Sequence, residues 1–366
     1  MGLEIDVLSI GQGDAGCGDA IAIRLWNNQT AWVIVIDGGY AGDGDAVVRH
    51  VRNVYNTTTV DLLISTHPDC DHCGGLSTVL EELTVRNVWL HQPWTYAAVA
   101  ALFHEGRITP GRIRDNLREE LEGAKSLDAA CRRKGIVPVQ PFAGLTYGAA
   151  LTILGPSEDY YARLVADFDC LPELPRPPQV PGTLRALMGL PPLPALPQAT
   201  AGRWEHDDLA NRTADVTPEN NSSVILWLSW EGYDALLTAD AGEHALARAF
   251  QFGINQGKNF ATLNLVQMPH HGSRHNVSPE ILNALLGPVV QRGTILRQAF
   301  VSAPRDGGPK HPSKRVLNSF LRRGANVSWN QTGSAMCYRH NAPARPTWNN
   351  SIPGQPFHER VEVVEE

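Results

Sequence analysis

Cysteine, long apolar runs and charge are all scarce in this 366-residue chain. Six cysteines over that length are too dilute for a disulfide scaffold, which fits a reducing compartment. No segment approaches the roughly 20 continuous apolar residues that span a bilayer. The first stretch carries Glu4 and Asp6 where a secretory leader would carry positive charge, so a cytoplasmic location without membrane contact is expected. Charged residues make up only 19% of the chain and the net charge is -7, which argues against a broadly basic surface that coats nucleic acid. A local cleft, or carboxylates neutralised by metal, stays open. The 43% hydrophobic content is that of a folded globular protein with a sizeable core.

What is present is an alternation of strands and helices. AWVIVID (31–37) is a nearly continuous apolar run that ends in Asp37-Gly38-Gly39, the pattern of a buried strand meeting a tight turn. VDLLIST (60–66) is another and runs straight into HPDCDHCGG. Leu76, Val79, Leu80 and Leu83 then recur at helical spacing, so strand, polar turn and helix follow in order. Residues 112–135 read as one long, charge-rich surface helix closed by Gly135. SSVILWLSW (222–230) and YDALLTAD (233–240), separated by Glu231-Gly232, read as a hairpin. NLVQMPHHGS (264–273) and AFVSAP (299–304) read as further strands, and 312–324 as a helix with Pro312 in its first turn. The stretch 157–218 packs prolines too densely for helix or central strand and reads as an extended insertion, a candidate arm for a protein partner. The reading is therefore an α/β domain over 1–340 interrupted by 157–218, followed by a loosely held tail at 341–366.

The polar clusters all fall just beyond strand ends, where open α/β folds place their sites. His67-Pro68-Asp69-Cys70-Asp71-His72 offers four ligand-type side chains in six residues at a strand-to-helix turn. Asp71 lies near a helix N-terminus, which favours the ionised form that a metal needs. Asp240 ends one later strand, and His270-His271 ends another. Together these give enough imidazoles and carboxylates for two cations sharing one bridging aspartate. Cys70 and Cys73 have the spacing of a thiol motif, but no second pair accompanies them and their use would compete with Asp71 and His72. Arg132-Arg133-Lys134 and Arg322-Arg323 sit at predicted helix ends and complement the helix dipole.

The ordered set DVLSIGQGDA, VIDGG, HPDCDH, NNSSVILWL with LLTAD, MPHHGS and KHPSKRVLNSFLRRGANVSW resembles the metallo-β-lactamase superfamily. Within it, the set is similar to the hydrolase domain of ComEC-type competence proteins. The resemblance implies a four-layered αββα sandwich carrying two divalent ions, Zn or Mn. It implies that His67 and Asp69 bind the first ion, Asp71 and His72 the second, that Asp240 bridges, and that His270 completes the second site. His271 is the other candidate of that pair. Asp37 would orient a ligand histidine from behind. Where the superfamily has a further histidine, this chain reads LTILGPSE with Gly155, so water or a group such as Asn221 would complete the first site. Metal-bound water with a pKa near about 7 would supply the nucleophile. Lys310 and His311 would steady a phosphate or protonate the leaving oxygen. The implied activity is hydrolysis of a phosphodiester such as DNA, RNA or a nucleotide. Hydrolysis of another ester or amide, and a binding module on a weakened hydrolase fold, are the alternatives.

Overall fold

Both faces of most strands in this chain are covered, because inward and outward residues alike are apolar. The computed structural model describes residues 1–11, 18–173, 202–207, 209, 216–303, 311–329, 335–345 and 354–361. In chain order the strands are β1 (Gly2–Val7), β2 (Ile21–Trp26), β3 (Ala31–Ile36), β4 (Thr59–Val60), β5 (Leu62–Ile64), β6 (Thr84–Val85), β7 (Val88–Trp89) and β8 (Thr146–Tyr147). They continue with β9 (Leu151–Gly155), β10 (Ile225–Trp230), β11 (Tyr233–Leu237), β12 (Leu265–Gln267), β13 (Arg297–Val301), β14 (Ala325–Trp329) and β15 (Met336–His340). One sheet runs β15-β1-β2-β3-β5-β7, the other runs β14-β13-β12-β11-β10-β9-β8, and β4 pairs β6 in a small ladder.

The two large sheets pack face to face. Leu3, Ile5, Ile23, Ile34 and Ile36 of the first share one buried cluster with Ile153, Leu226, Leu237, Leu265 and Phe300 of the second. On the outer face of the first sheet, Val33, Val35 and Leu63 meet Val47, Val51, Val79 and Leu80 from helices 44–53 and 76–82. On the outer face of the second, Trp227, Leu236, Val266 and Val327 meet Leu246, Ile281, Leu285, Val316 and Phe320 from helices 243–255, 279–286 and 314–322. The layers are therefore helix, sheet, sheet, helix, the αββα sandwich expected. Each sheet is antiparallel on one side and parallel on the other, with β3-β5-β7 and β11-β12-β13-β14 as the parallel parts. The chain crosses back at its end, where β15 pairs antiparallel with β1 of the first sheet.

Four expectations change. The helix read across 112–135 is two, Pro110–Glu120 and Glu122–Lys134, broken at Leu121. Neither is merely a solvated surface helix, since Ile113, Leu117, Ala124, Leu127 and Cys131 are fully buried in the cluster outside the first sheet. Arg322 and Arg323 are also fully buried, and Arg323 pairs with Asp207 at 2.7 Å. Arg322 donates to the carbonyls of Arg203 and Trp204, so these arginines fasten the end of the inserted segment to the helix below it. In the C-terminal stretch Arg345 reaches Glu4 and Asp6 at 2.7 and 3.0 Å. Asn318 binds the backbone of His358, and Phe357 lies against Trp204, so the described parts of the tail pack on the domain. Pro312 precedes the helix, which starts at Lys314 with Ser313 as its N-cap. Most of the proline-rich insertion, and Lys310, lie outside the described residues.

Candidate metal centre

Five strand ends meet along one edge of the sandwich. Asp37 follows β3, the His67 to His72 turn follows β5, Asp240 follows β11, His270 and His271 follow β12, and Ser302 follows β13. Backbone bonds tie these turns to one another. Val224 N donates to Thr66 O at 3.0 Å, His270 N to Ala239 O at 3.0 Å, and Asp19 N to Asp71 O at 3.2 Å. Asp37, Ala239, His270 and His271 all have positive φ, between 44 and 56°. L-residues adopt that region at a cost of order 1 kcal/mol each, so the turns are held there by their surroundings.

The hydrogen-bond partners fix the tautomer of each histidine. The carboxylate of Asp37 accepts from His72 Nδ1 at 2.9 Å and from Thr66 Oγ1 at 2.6 Å. Because the Thr66 hydroxyl spends its proton on Asp37, it accepts from His67 Nδ1, 3.0 Å away. His271 Nδ1 donates to the carbonyl of Ser302 at 2.8 Å. His270 Nδ1 donates to Asn276 Oδ1 at 2.9 Å, and the Asn276 amide is oriented by its own donation to Asp240 O. In the neutral form every one of these imidazoles therefore turns a bare Nε2 lone pair toward carboxylate oxygens. His72 Nε2 lies 3.3 Å from Asp240 Oδ1 and 3.9 Å from Asp71. His271 Nε2 lies 3.6 Å from Asp240 and 3.7 Å from Asp71, His270 Nε2 lies 3.5 Å from Asp240, and His67 Nε2 lies 3.6 Å from Asp69.

Lone pairs facing lone pairs repel unless a positive charge sits between them. His67 Nε2, His72 Nε2, His271 Nε2 and Asp240 Oδ1 are all buried without a hydrogen-bond partner. Two overlapping groups, His67-His72-Asp240 and Asp71-His72-His271, bring one ligand atom from each residue within 4.8 Å of one another. The donor set thus fits divalent cations held by imidazole and carboxylate. Without a cation, protons take the central place. Burial opposes a charge on His72, but Asp240 and Asp37 overturn it and hold its pKa well above the ordinary value. Burial likewise opposes a charge on His271, yet Asp240 and Asp71 raise it to about 9. Burial alone would raise Asp240, and the imidazoles of His72, His271 and His270 push it well below the carboxylate range instead.

The structure brings together His67, Asp71, His72, Asp240, His270 and His271, with Asp69 at the rim and Asp37 behind His72. Of the adjacent histidines, His271 is the buried one and stands between Asp71 and Asp240, whereas the His270 side chain is 29% exposed. His311 stacks on His270 with ring centroids 6.0 Å apart. Burial, with His270 and His271 nearby, pushes His311 down to about 4, so near neutral pH it offers a neutral imidazole and not a charged acid. Asn221 donates to the carbonyls of Val216 and Thr217, and its Oδ1 is buried without a donor. Gly155 points at Ala249 and Ile225, into the core and away from any ligand role.

Sequence reading missed several residues here. Asp19 is buried 4.0 Å from His72 Nδ1 and accepts from Gln267 Nε2, and the Gln267 side-chain Oε1 accepts from Thr238 N and Ala239 N. Burial raises the Asp19 carboxyl despite His72 and His271. Thr66 and Asn276 set tautomers, and neither has a spacing signature; only their place at strand ends beside ligands hinted at them. Glu219, buried at the turn before β10 and accepting from Asp169 N, is pushed up to about 7 by burial.

No family model matches this sequence, and no curated protein matches it. Among solved structures, a Thermotoga maritima protein described as a metallo-beta-lactamase is similar at 9% identity, covering 66% of this chain and 79% of its own, with a TM-score of 0.31. The Rm3 metallo-beta-lactamase is similar at 13% identity, covering 74% of this chain and 82% of its own, with a TM-score of 0.30.

Proposed function

We propose that this protein is a hydrolase that works with two divalent ions, zinc or manganese, on phosphodiesters, with nucleic acid or a nucleotide as substrate. The observation that carries this reading is the convergence of buried Nε2 atoms without hydrogen-bond partners on Asp71 and Asp240, with each Nδ1 engaged from behind. His67 and Asp69 would hold one ion, Asp71, His72 and His271 the other, and Asp240 both. Such ions, when bound, polarise a phosphoryl oxygen and lower the pKa of water toward about 7. The chain's own residues do the rest. Asp37 and Thr66 keep His72 and His67 in the ligating tautomer, and Asp19 with Gln267 braces the Asp240 turn against the His72 turn. His270 and His311 stack on one another at the more exposed side of the centre. The choice of phosphodiesters rests on the motif likeness to ComEC-type hydrolase domains and on the hard oxygen of Asp69 where the superfamily motif has nitrogen.

The test is turnover of bis-nitrophenyl phosphate, single-stranded and duplex DNA, and RNA by zinc- and manganese-loaded protein. At least one should be cleaved, and Asp71→Ala and Asp240→Ala should each abolish it. If all stay intact while an ester or lactam is turned over, the phosphodiester assignment is wrong.

A further inference from the structure

The two sides of the centre are unequally furnished. Asp71, His72, His271 and Asp240 face one another on one side, whereas among the described residues the other has His67, Asp69 and its shares of His72 and Asp240, and a Cβ at Gly155 would meet Ala249 and Ile225 in the core. The short helix Pro218–Asn221 precedes β10 by three residues. The residues that follow it are stitched to the centre by Val224 N on Thr66 O and by Asp240 N on Ser223 Oγ, at 3.0 and 3.3 Å. Glu219 Oε2, Asn220 Oδ1 and Asn221 Oδ1 follow one another on this turn, and each is a buried oxygen without a donor. The residues that carry them are only 8, 6 and 8% exposed. The Asn221 amide cannot flip to use its oxygen elsewhere, because its nitrogen already donates to Val216 and Thr217. That oxygen lies beside Gly242, two residues from Asp240, in space that a Cβ at 242 would fill. Desolvated oxygens without donors are costly, and a cation satisfies them.

We infer that the Asn220-Asn221 turn supplies the oxygen ligand that stands in for the missing third histidine, completing the ion site on the His67 and Asp69 side and biasing it toward manganese over zinc. This rests on the metal reading above. Amide and carboxylate oxygens are hard donors, and a site richer in them suits Mn²⁺ better than a three-histidine site does. The experiment is titration of the whole chain with Mn²⁺, followed by the electron paramagnetic resonance of the free ion, with circular dichroism to check the fold. The double variant Asn220→Ala/Asn221→Ala should lose tenfold or more in affinity for one ion and keep the other. Retention of every wild-type affinity within twofold overturns the inference. If the double variant does not fold, Asn220→Asp and Asn221→Asp replace it. A charged oxygen at the ligating position should tighten Mn²⁺ uptake, and no change in either variant overturns the inference equally. A wild-type chain that takes up no Mn²⁺ or Zn²⁺ refutes the metal reading itself, a result distinct from ions that bind indifferently to the asparagines.

Discussion

Asp37 lies behind His72, where its carboxylate holds the proton of His72 and, through Thr66, that of His67. Asp37→Ala should therefore weaken metal binding about 10- to 100-fold with the ligands intact, measured by calorimetric titration with Zn²⁺. An unchanged affinity would show that the tautomers are fixed by something else. The pH behaviour of the metal-free protein follows from His271, raised to about 9 from 6.5. A folded pKa above the unfolded one gives stability that is full below about 6.5 and is lost as pH rises through about 9, a change of order 3 kcal/mol. His72 acts in the same direction. Melting temperature without metal should fall across that window, the fall should shrink in His271→Asn, and added Mn²⁺ should reverse it because ligation needs the deprotonated ring. Glu243 gives a second handle away from the ligands. Burial raises it from 4.5 to about 7, so its ionisation costs stability as pH climbs between those values. Glu243→Gln should gain up to roughly 3 kcal/mol at pH 8 and almost nothing at pH 4, read from urea unfolding.

At the scale of elements, the parts most legible in the sequence were those whose local pattern and tertiary environment agree. The β3, β5, β10 and β11 strands are continuous apolar runs bounded by turn residues, and both readings coincide. The break at Leu121 was not legible, because leucine is a good helix former; Leu117 and Ala124 on either side of it are both buried. The same holds for Arg322 and Arg323, where a dipole argument serves exposed helix ends but not two guanidinium groups enclosed by Trp204, Asp207 and Asn283. The hairpin between β10 and β11 offers a local test. Glu231 and Gly232 have φ of 52 and 78°, a conformation that suits Asn-Gly. Glu231→Asn should stabilise by a few tenths to about 1 kcal/mol, visible as a higher melting temperature, and a lower one would mean that the Glu231 side chain has work of its own.

For the whole molecule, the ligand motifs were readable because the chemistry demands those residue types at strand ends, whereas Asp19, Gln267 and Asn276 are known only from the meeting of distant turns. Arg345 is another such residue. It sits against Glu4 and Asp6, with His50 on the far side of Asp6 at 2.8 Å, so it secures the C-terminal stretch to the first strand. Arg345→Ala leaves two buried carboxylates short of a partner and should cost about 3 kcal/mol in urea unfolding. A loss under about 1 kcal/mol would mean that water takes its place. Among the described residues no helix is long and apolar enough to cross a membrane.

The seam between the sheets has one more consequence. His67 to His72 belong to the first half of the chain and Asp240 to His271 to the second, so neither half alone carries a full set of donors. An ion seated there would act as a rivet between them, and its removal should be felt first as a loosening where the halves join, before either hydrophobic layer gives way.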